Sequence, residues 1–133
     1  MNKIVVIIVL STFGAFAYKP TTAFYVSSRY SLVEVESNPI PKRAAMTLWQ
    51  VVALDDCEGA LKNHNISPEK CREIKREKHS ECATSSSRFA PDVIADRIQS
   101  KALGREYLEC ITPYYFCNGV EVRTDEEART HCT

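Results

Sequence analysis

The sequence predicts a mostly α-helical domain that is stapled by disulfides, with three to four short helices and a possible β-hairpin near residues 114–122. Three observations lead to this prediction. Apolar residues recur every three or four positions in separate stretches between residues 45 and 103, which is the spacing of amphipathic helices. All six cysteines lie between Cys57 and Cys132. Aromatic and β-branched residues flank Asn118-Gly119, the strongest short hairpin signal.

The first predicted helix covers residues 45–64. Its apolar stripe consists of Leu48, Val51, Leu54, Cys57 and Leu61. The second covers residues 68–82, because Ser67 is a good N-cap and Pro68 suits the first helical position. Residues 83–87 are alanine, threonine and serines and are predicted to form a loop.

The third predicted helix begins at Pro91 and ends near Leu103, with Gly104 as its C-terminal stop. Thr124 and Glu127 have the spacing of a capping box and predict a short last helix that leads into Cys132.

The chain begins with Lys3 and a predominantly apolar run over residues 4–17, and this run ends in Ala15-Phe16-Ala17. This pattern predicts a secretory signal peptide over residues 1–17, cleaved after Ala17. The run is too short for a transmembrane helix and no second apolar run follows it. We therefore expect a secreted, extracellular protein without stable membrane insertion.

Residues 18–43 contain no cysteine, three of the six prolines and the adjacent basic pair Lys42-Arg43. Pro39 and Pro41 favour an extended, solvated backbone next to that pair, which would suit a protease. Within this segment, residues 31–36 alternate apolar and polar side chains, which is a strand pattern. The layout resembles that of secreted-peptide precursors and predicts a pro-segment at 18–43, a dibasic processing site and a mature domain at 44–133.

In an oxidising compartment, an even number of cysteines in a short chain predicts disulfides. Cys71 and Cys82 lie roughly 16 Å apart along one predicted helix, whereas a disulfide needs Cα atoms within about 7 Å. An antiparallel turn near Asn65 brings Cys57 level with Cys71. The favoured pairs are Cys57–Cys71, Cys82–Cys110 and Cys117–Cys132, although the sequence does not select among the possible pairings.

The full chain has 17 basic and 17 acidic residues and no net charge. Residues 44–133 have 12 basic and 15 acidic residues, a net charge of −3. Nucleic-acid binders and membrane-lytic helices need a basic surface, so neither class of function is expected.

No catalytic or metal-binding pattern stands out in the sequence. Cys71, His79, Cys82 and His131 would be the candidate metal ligands, but no Cys-x-x-Cys pair exists and export favours disulfides. The serines at 85–87 lack a Gly-x-Ser-x-Gly elbow. We therefore expect no enzyme activity, no metal and no cofactor.

Residues 110–132 place Tyr114, Tyr115 and Phe116 inside a Cys-x6-Cys spacing that is followed by Asn118-Gly119. This segment faintly resembles the core of invertebrate chitin-binding modules, and the resemblance implies aromatic side chains that stack on sugar rings. The alternative is that these aromatics fill the core of a small domain. Insect odorant-binding proteins are also helical with six cysteines, but only three residues separate their second and third cysteines, against ten here.

The favoured function is an extracellular ligand, toxin-like or hormone-like, that binds a protein target such as an ion channel or a receptor on another cell. The alternative is a secreted binding module for chitin, another glycan or a small apolar ligand. Trp49, Tyr114, Tyr115 and Phe116 are the candidate contact residues, because large aromatic side chains often anchor interfaces.

Overall fold

The computed structural model describes residues 29–133. Within this range it shows a small, mostly helical domain with two short antiparallel strand pairs and three disulfides, and the predicted fold class is confirmed. The predicted signal peptide with Ala17, and residues 18–28 of the predicted pro-segment, lie outside the described residues.

The helices are α1 (Lys42–Asp55), α2 (Ala60–His64), α3 (Pro68–Ser86), α4 (Arg97–Ile111) and α5 (Asp125–His131). A 3₁₀ turn (Asp56–Gly59) joins α1 to α2. The strands are β1 (Ile40–Pro41), β2 (Val93–Ile94), β3 (Tyr115–Cys117) and β4 (Val120–Val122). β1 pairs with β2 and β3 pairs with β4, both antiparallel.

Three helices begin at side-chain caps. The Ser67 hydroxyl accepts a hydrogen bond from the Lys70 amide, and the Asp96 carboxylate accepts one from the Gln99 amide at 2.7 Å. The predicted capping box between Thr124 and Glu127 is confirmed at the start of α5. These caps occupy amides that lack a partner inside the helix, and so they fix where each helix begins.

The first two helices differ from their predicted bounds. The expected single helix at 45–64 begins earlier, at Lys42, and is interrupted by the 3₁₀ turn. The turn contains Gly59, a residue of weak helix propensity, and it brings Cys57 to Cys71. The expected loop at 83–87 is largely helical, since α3 continues to Ser86 and the Ser86 and Ser87 hydroxyls donate to carbonyls one turn back, each at 2.6 Å.

The bounds predicted for the third helix differ most from those in the structure. α4 begins at Arg97 because Asp96 supplies the cap, while the residues just after Pro91 enter β2. The helix continues through Gly104 to Ile111, so Gly104 is an interior residue and not a stop. Gly104 is buried against Trp49 of α1, and this close approach explains the glycine.

The main core lies where α1, α3 and α4 meet, around the fully buried Tyr107. It includes two residues of the segment before α1, Val35 and Ile40, both with no exposed surface. A smaller cluster contains Cys57, Ala60 and Cys71, against which Ile66 packs.

The described part of the predicted pro-segment, residues 29–43, is part of this fold. Residues 33–37 form turns, whereas the alternating pattern of residues 31–36 indicated a strand, and Val35 is buried in the core. Ile40 pairs with Ile94 in the small sheet. These contacts do not test cleavage after Arg43 itself.

The structure joins Cys57 to Cys71, Cys82 to Cys110 and Cys117 to Cys132, which are the pairs that the sequence favoured. Their Cα–Cα distances are 5.7, 5.6 and 4.9 Å, within the normal range. The first two bridges tie α3 to the 3₁₀ turn and to α4, and the third ties the β3–β4 hairpin to the residue after α5.

Candidate functional site

The β3–β4 hairpin turns at Asn118-Gly119, as predicted. Both residues have positive φ angles, 50° and 83°, which a two-residue hairpin turn of this kind requires. The register pairs Tyr115 with Val122 and Cys117 with Val120. These four side chains therefore project from one face of the hairpin.

Contacts from distant parts of the chain hold the hairpin in place. The Asn118 side-chain amide donates to the His131 carbonyl at 2.8 Å, next to the Cys117–Cys132 bridge. The Asn65 side-chain amide donates to the Phe116 carbonyl, also at 2.8 Å. The hairpin is thus fixed to the end of α2 and to the end of α5.

Glu121 organises the base of the hairpin. Its carboxylate accepts hydrogen bonds from the Tyr114 amide at 2.9 Å and from the Arg123 guanidinium at 2.8 Å, and Lys78 of α3 lies 3.8 Å away. Burial alone would raise the pKa of this carboxyl, but the hydrogen bonds and the positive charges of Lys78 and Arg123 outweigh it and lower the pKa. Glu121 is therefore ionised at neutral pH and positions both neighbours.

The hairpin leaves large side chains in contact with solvent. Tyr114 is 53% exposed and Tyr115 is 47% exposed, and Val120 is also exposed. The Arg123 guanidinium lies over the Tyr114 ring, 5.3 Å from its centroid. By the alternation of the strands, Tyr114 and Arg123 fall on the face opposite to Tyr115 and Val120. We call these four residues, which cover both faces of the hairpin, the hairpin surface.

A groove beside Tyr115 adds polar groups to this surface. It is lined by Asn65, Tyr115, Cys117, Asn118, Cys132 and Thr133. A second groove, on the side of Tyr114, lies between the hairpin and the end of α4 and is lined by Leu108, Glu109, Thr112 and Pro113.

The four predicted contact aromatics do not lie together. Tyr114, Tyr115 and the half-buried Phe116 belong to the hairpin region, whereas Trp49 lies in α1 and packs against Gly104. The Trp49 indole nitrogen is buried and has no hydrogen-bond partner among the described residues. Trp49 is therefore a packing residue of the helical core.

Sequence reasoning missed Phe89, which is 93% exposed between α3 and β2. It borders a groove whose floor includes Ala90, Ala102 and Leu103. The sequence feature that could have indicated its exposure is that Phe89 is a single large apolar residue in a mostly polar stretch just before Pro91.

A fourth groove lies between α1 and α3, and its lining includes Lys42, Arg43 and His79. The His79 Nδ1 atom lies 2.8 Å from the Tyr107 hydroxyl. Burial lowers the pKa of His79 and raises the pKa of Tyr107 to about 12. At neutral pH the histidine is therefore neutral and accepts a hydrogen bond from the phenol, which is a structural contact of the core.

Two of the four candidate metal ligands are used in disulfides, because Cys71 bonds to Cys57 and Cys82 bonds to Cys110. Between residues 29 and 133 no group of three or more His, Cys, Asp or Glu side chains is arranged to hold a metal ion. Ser85, Ser86 and Ser87 donate to helix carbonyls of α3.

No protein-family model, curated protein or solved structure matches this chain. Among the helices of the described part of the chain, none has the length and apolar character needed to cross a membrane.

Proposed function

We propose that this chain is a secreted extracellular ligand, toxin-like or hormone-like, that binds a protein at the surface of another cell through the hairpin surface. The observation that carries the proposal is the exposure of Tyr114 and Tyr115 on a hairpin that a disulfide and two side-chain amides hold in place.

Rigidity supports a binding role. A surface that is already ordered loses little conformational entropy when it binds, so more of its contact energy contributes to affinity. The three disulfides and the small size of the domain are compatible with an extracellular location, in which such bonds persist.

The chemistry of the hairpin surface supports a protein partner. Tyr and Arg are enriched among the residues that dominate protein interfaces. Here Glu121 holds Tyr114 and Arg123 together before any partner arrives. The tyrosines have few rotatable bonds, so immobilising them costs little entropy.

The proposal is tested by saturable binding of labelled protein to intact cells, with and without prior trypsin treatment of the cells. Tyr114→Ala combined with Tyr115→Ala should weaken binding by at least about 30-fold, since two anchors of about 1–2 kcal/mol each are removed. Phe89→Ala is the matched control, because Phe89 is exposed but lies outside the hairpin surface. Full binding by the double variant, or loss with Phe89→Ala alone, would contradict the proposed surface.

A glycan is the second candidate partner, because the groove beside Tyr115 adds the amide side chains of Asn65 and Asn118 to an exposed aromatic ring. Aromatic rings stack on sugars, and amides bond their hydroxyls. Retention on chitin beads that is lost with Tyr115→Ala would favour this candidate. Cell binding that survives glycosidase but not trypsin would favour the protein partner.

A further inference from the structure

We propose that the folded protein keeps residues 30–43, and that Lys42-Arg43 is not a maturation site but part of the folded domain. This goes beyond the proposed binding function and changes which residues make up the working protein. Under this inference, the working protein does not begin at Ala44, the boundary that the basic pair Lys42-Arg43 indicated in the sequence.

The first support is the contribution of this segment to the core. Val35 and Ile40 have no exposed surface and belong to the same cluster as Tyr107. Tyr30 and Leu32 pack against that cluster. Removing the segment would open the core around residues of α1 and α4.

The second support is the set of polar contacts at the basic pair itself. The Lys42 amide donates to the Asp92 carbonyl at 2.8 Å. The Lys42 ammonium donates to the Ala90 carbonyl at 3.1 Å and lies 3.2 Å from the Asp92 carboxylate. Lys42 therefore joins α1 to the segment around β2, and a protease that binds its side chain must first break these contacts.

The third support is the conformation of the scissile bond. Lys42 and Arg43 are the first two residues of α1, and the Arg43 carbonyl accepts a hydrogen bond from the Thr47 hydroxyl at 3.2 Å. A protease needs several residues on either side in an extended, accessible form. Cutting here requires β1 to detach and the first turn of α1 to unwind.

The fourth support is the charge that cleavage would create. A cut after Arg43 leaves a positive α-ammonium on Ala44, a residue that is only 8% exposed and is followed by the fully buried Ala45. The new charge would lie at the positive end of the helix dipole of α1. Both burial and the dipole oppose it.

The test uses the secreted chain that begins after Ala17, with its disulfides intact, and a protease specific for paired basic residues. We expect the Arg43–Ala44 bond to be cut at least on the order of 100-fold more slowly than in the reduced and alkylated chain, because cutting requires local opening. Val35→Ala should accelerate cutting, and Val33→Ala is its matched control, because Val33 is 77% exposed in the same turn.

The intact mass of the naturally secreted product provides a second measurement that needs no variant. A product that retains residues 30–43 supports the inference. A product that begins at Ala44, or equal cutting rates for the folded and unfolded chains, would overturn it. Binding through the hairpin surface is measured separately, so either proposal can fail without the other.

Discussion

Gly104→Ala gives the sharpest test of the helical core. Alanine is favoured over glycine in a helix interior by about 1 kcal/mol, so the position of Gly104 inside α4 would by itself favour a gain in stability. In the structure, however, an added Cβ atom would lie well within 3.0 Å of three ring carbons of Trp49, closer than real Cβ contacts come.

The loss of stability in Gly104→Ala depends on how easily the Trp49 ring and α4 can move apart. Trp49 is a large, rigid ring on α1, and α4 is tied to α3 by the Cys82–Cys110 bridge, so neither side yields easily. Overpacking of this kind costs about 2–3 kcal/mol, and the gain in helix propensity offsets about 1 kcal/mol of it. We expect a net loss of about 1–2 kcal/mol in the free energy of unfolding.

The assay is urea unfolding followed by fluorescence, because Trp49 is the only tryptophan in the chain. The emission of the folded variant should shift to the red as the ring is displaced toward water. Gly59→Ala is the matched control, since its added Cβ would meet only the end of the Asn63 side chain. If Gly104→Ala unfolds at the same or a higher urea concentration, with unchanged emission, the proposed packing of Trp49 on Gly104 is wrong.

Three further predictions concern single side chains, each measured as the urea midpoint of unfolding. Lys75 is fully buried, and its ammonium donates to the Ala53 carbonyl at 2.7 Å and lies 3.4 Å from the Asp56 carboxylate; Lys75→Ala should cost about 2–4 kcal/mol through the cavity and the lost contacts, whereas Lys75→Met, which fills the cavity but makes neither contact, should cost about 1–2 kcal/mol. Because burial lowers the pKa of His79 below 6.5, the unfolded chain takes up this proton first as the pH falls; wild-type stability should therefore decrease as the pH is lowered through about 6.5, and less so in His79→Gln. Asn65 has a φ of 57° and bonds the Phe116 carbonyl, so Asn65→Ala should cost about 2 kcal/mol and Asn65→Gly about 1 kcal/mol; equal losses would mean that the left-handed backbone contributes nothing.

Short-range patterns correctly predicted one turn and two helix caps. The capping box at Thr124, the turn at Asn118-Gly119 and the cap at Ser67 each depend on residues within four positions of one another, and all three are present. Of the cysteine pairs, only Cys57–Cys71 followed from local geometry, because the helix over Cys71 and Cys82 excludes their bonding and the turn at Asn65 aligns Cys57 with Cys71.

The candidate site was only partly predictable. The sequence singled out Tyr114 and Tyr115, but their exposure depends on which face of the hairpin packs against the domain. The role of Glu121 was not predicted, since its partners include Lys78 of α3, which is distant in the sequence. Phe89 was overlooked because no local pattern shows whether a lone aromatic residue in a loop will be buried.

By itself, the sequence determined the helical class, the hairpin turn and the helix caps at Ser67 and Thr124, because each follows from the conformational preferences of neighbouring residues. The tertiary structure alone decided that Gly104 lies inside a helix, where Trp49 leaves no room for a Cβ atom. It also decided that the segment before α1 is core, since Val35 and Ile40 fill space between elements that begin after them in the chain. Burial is a property of the whole packed domain, and no local pattern specifies it.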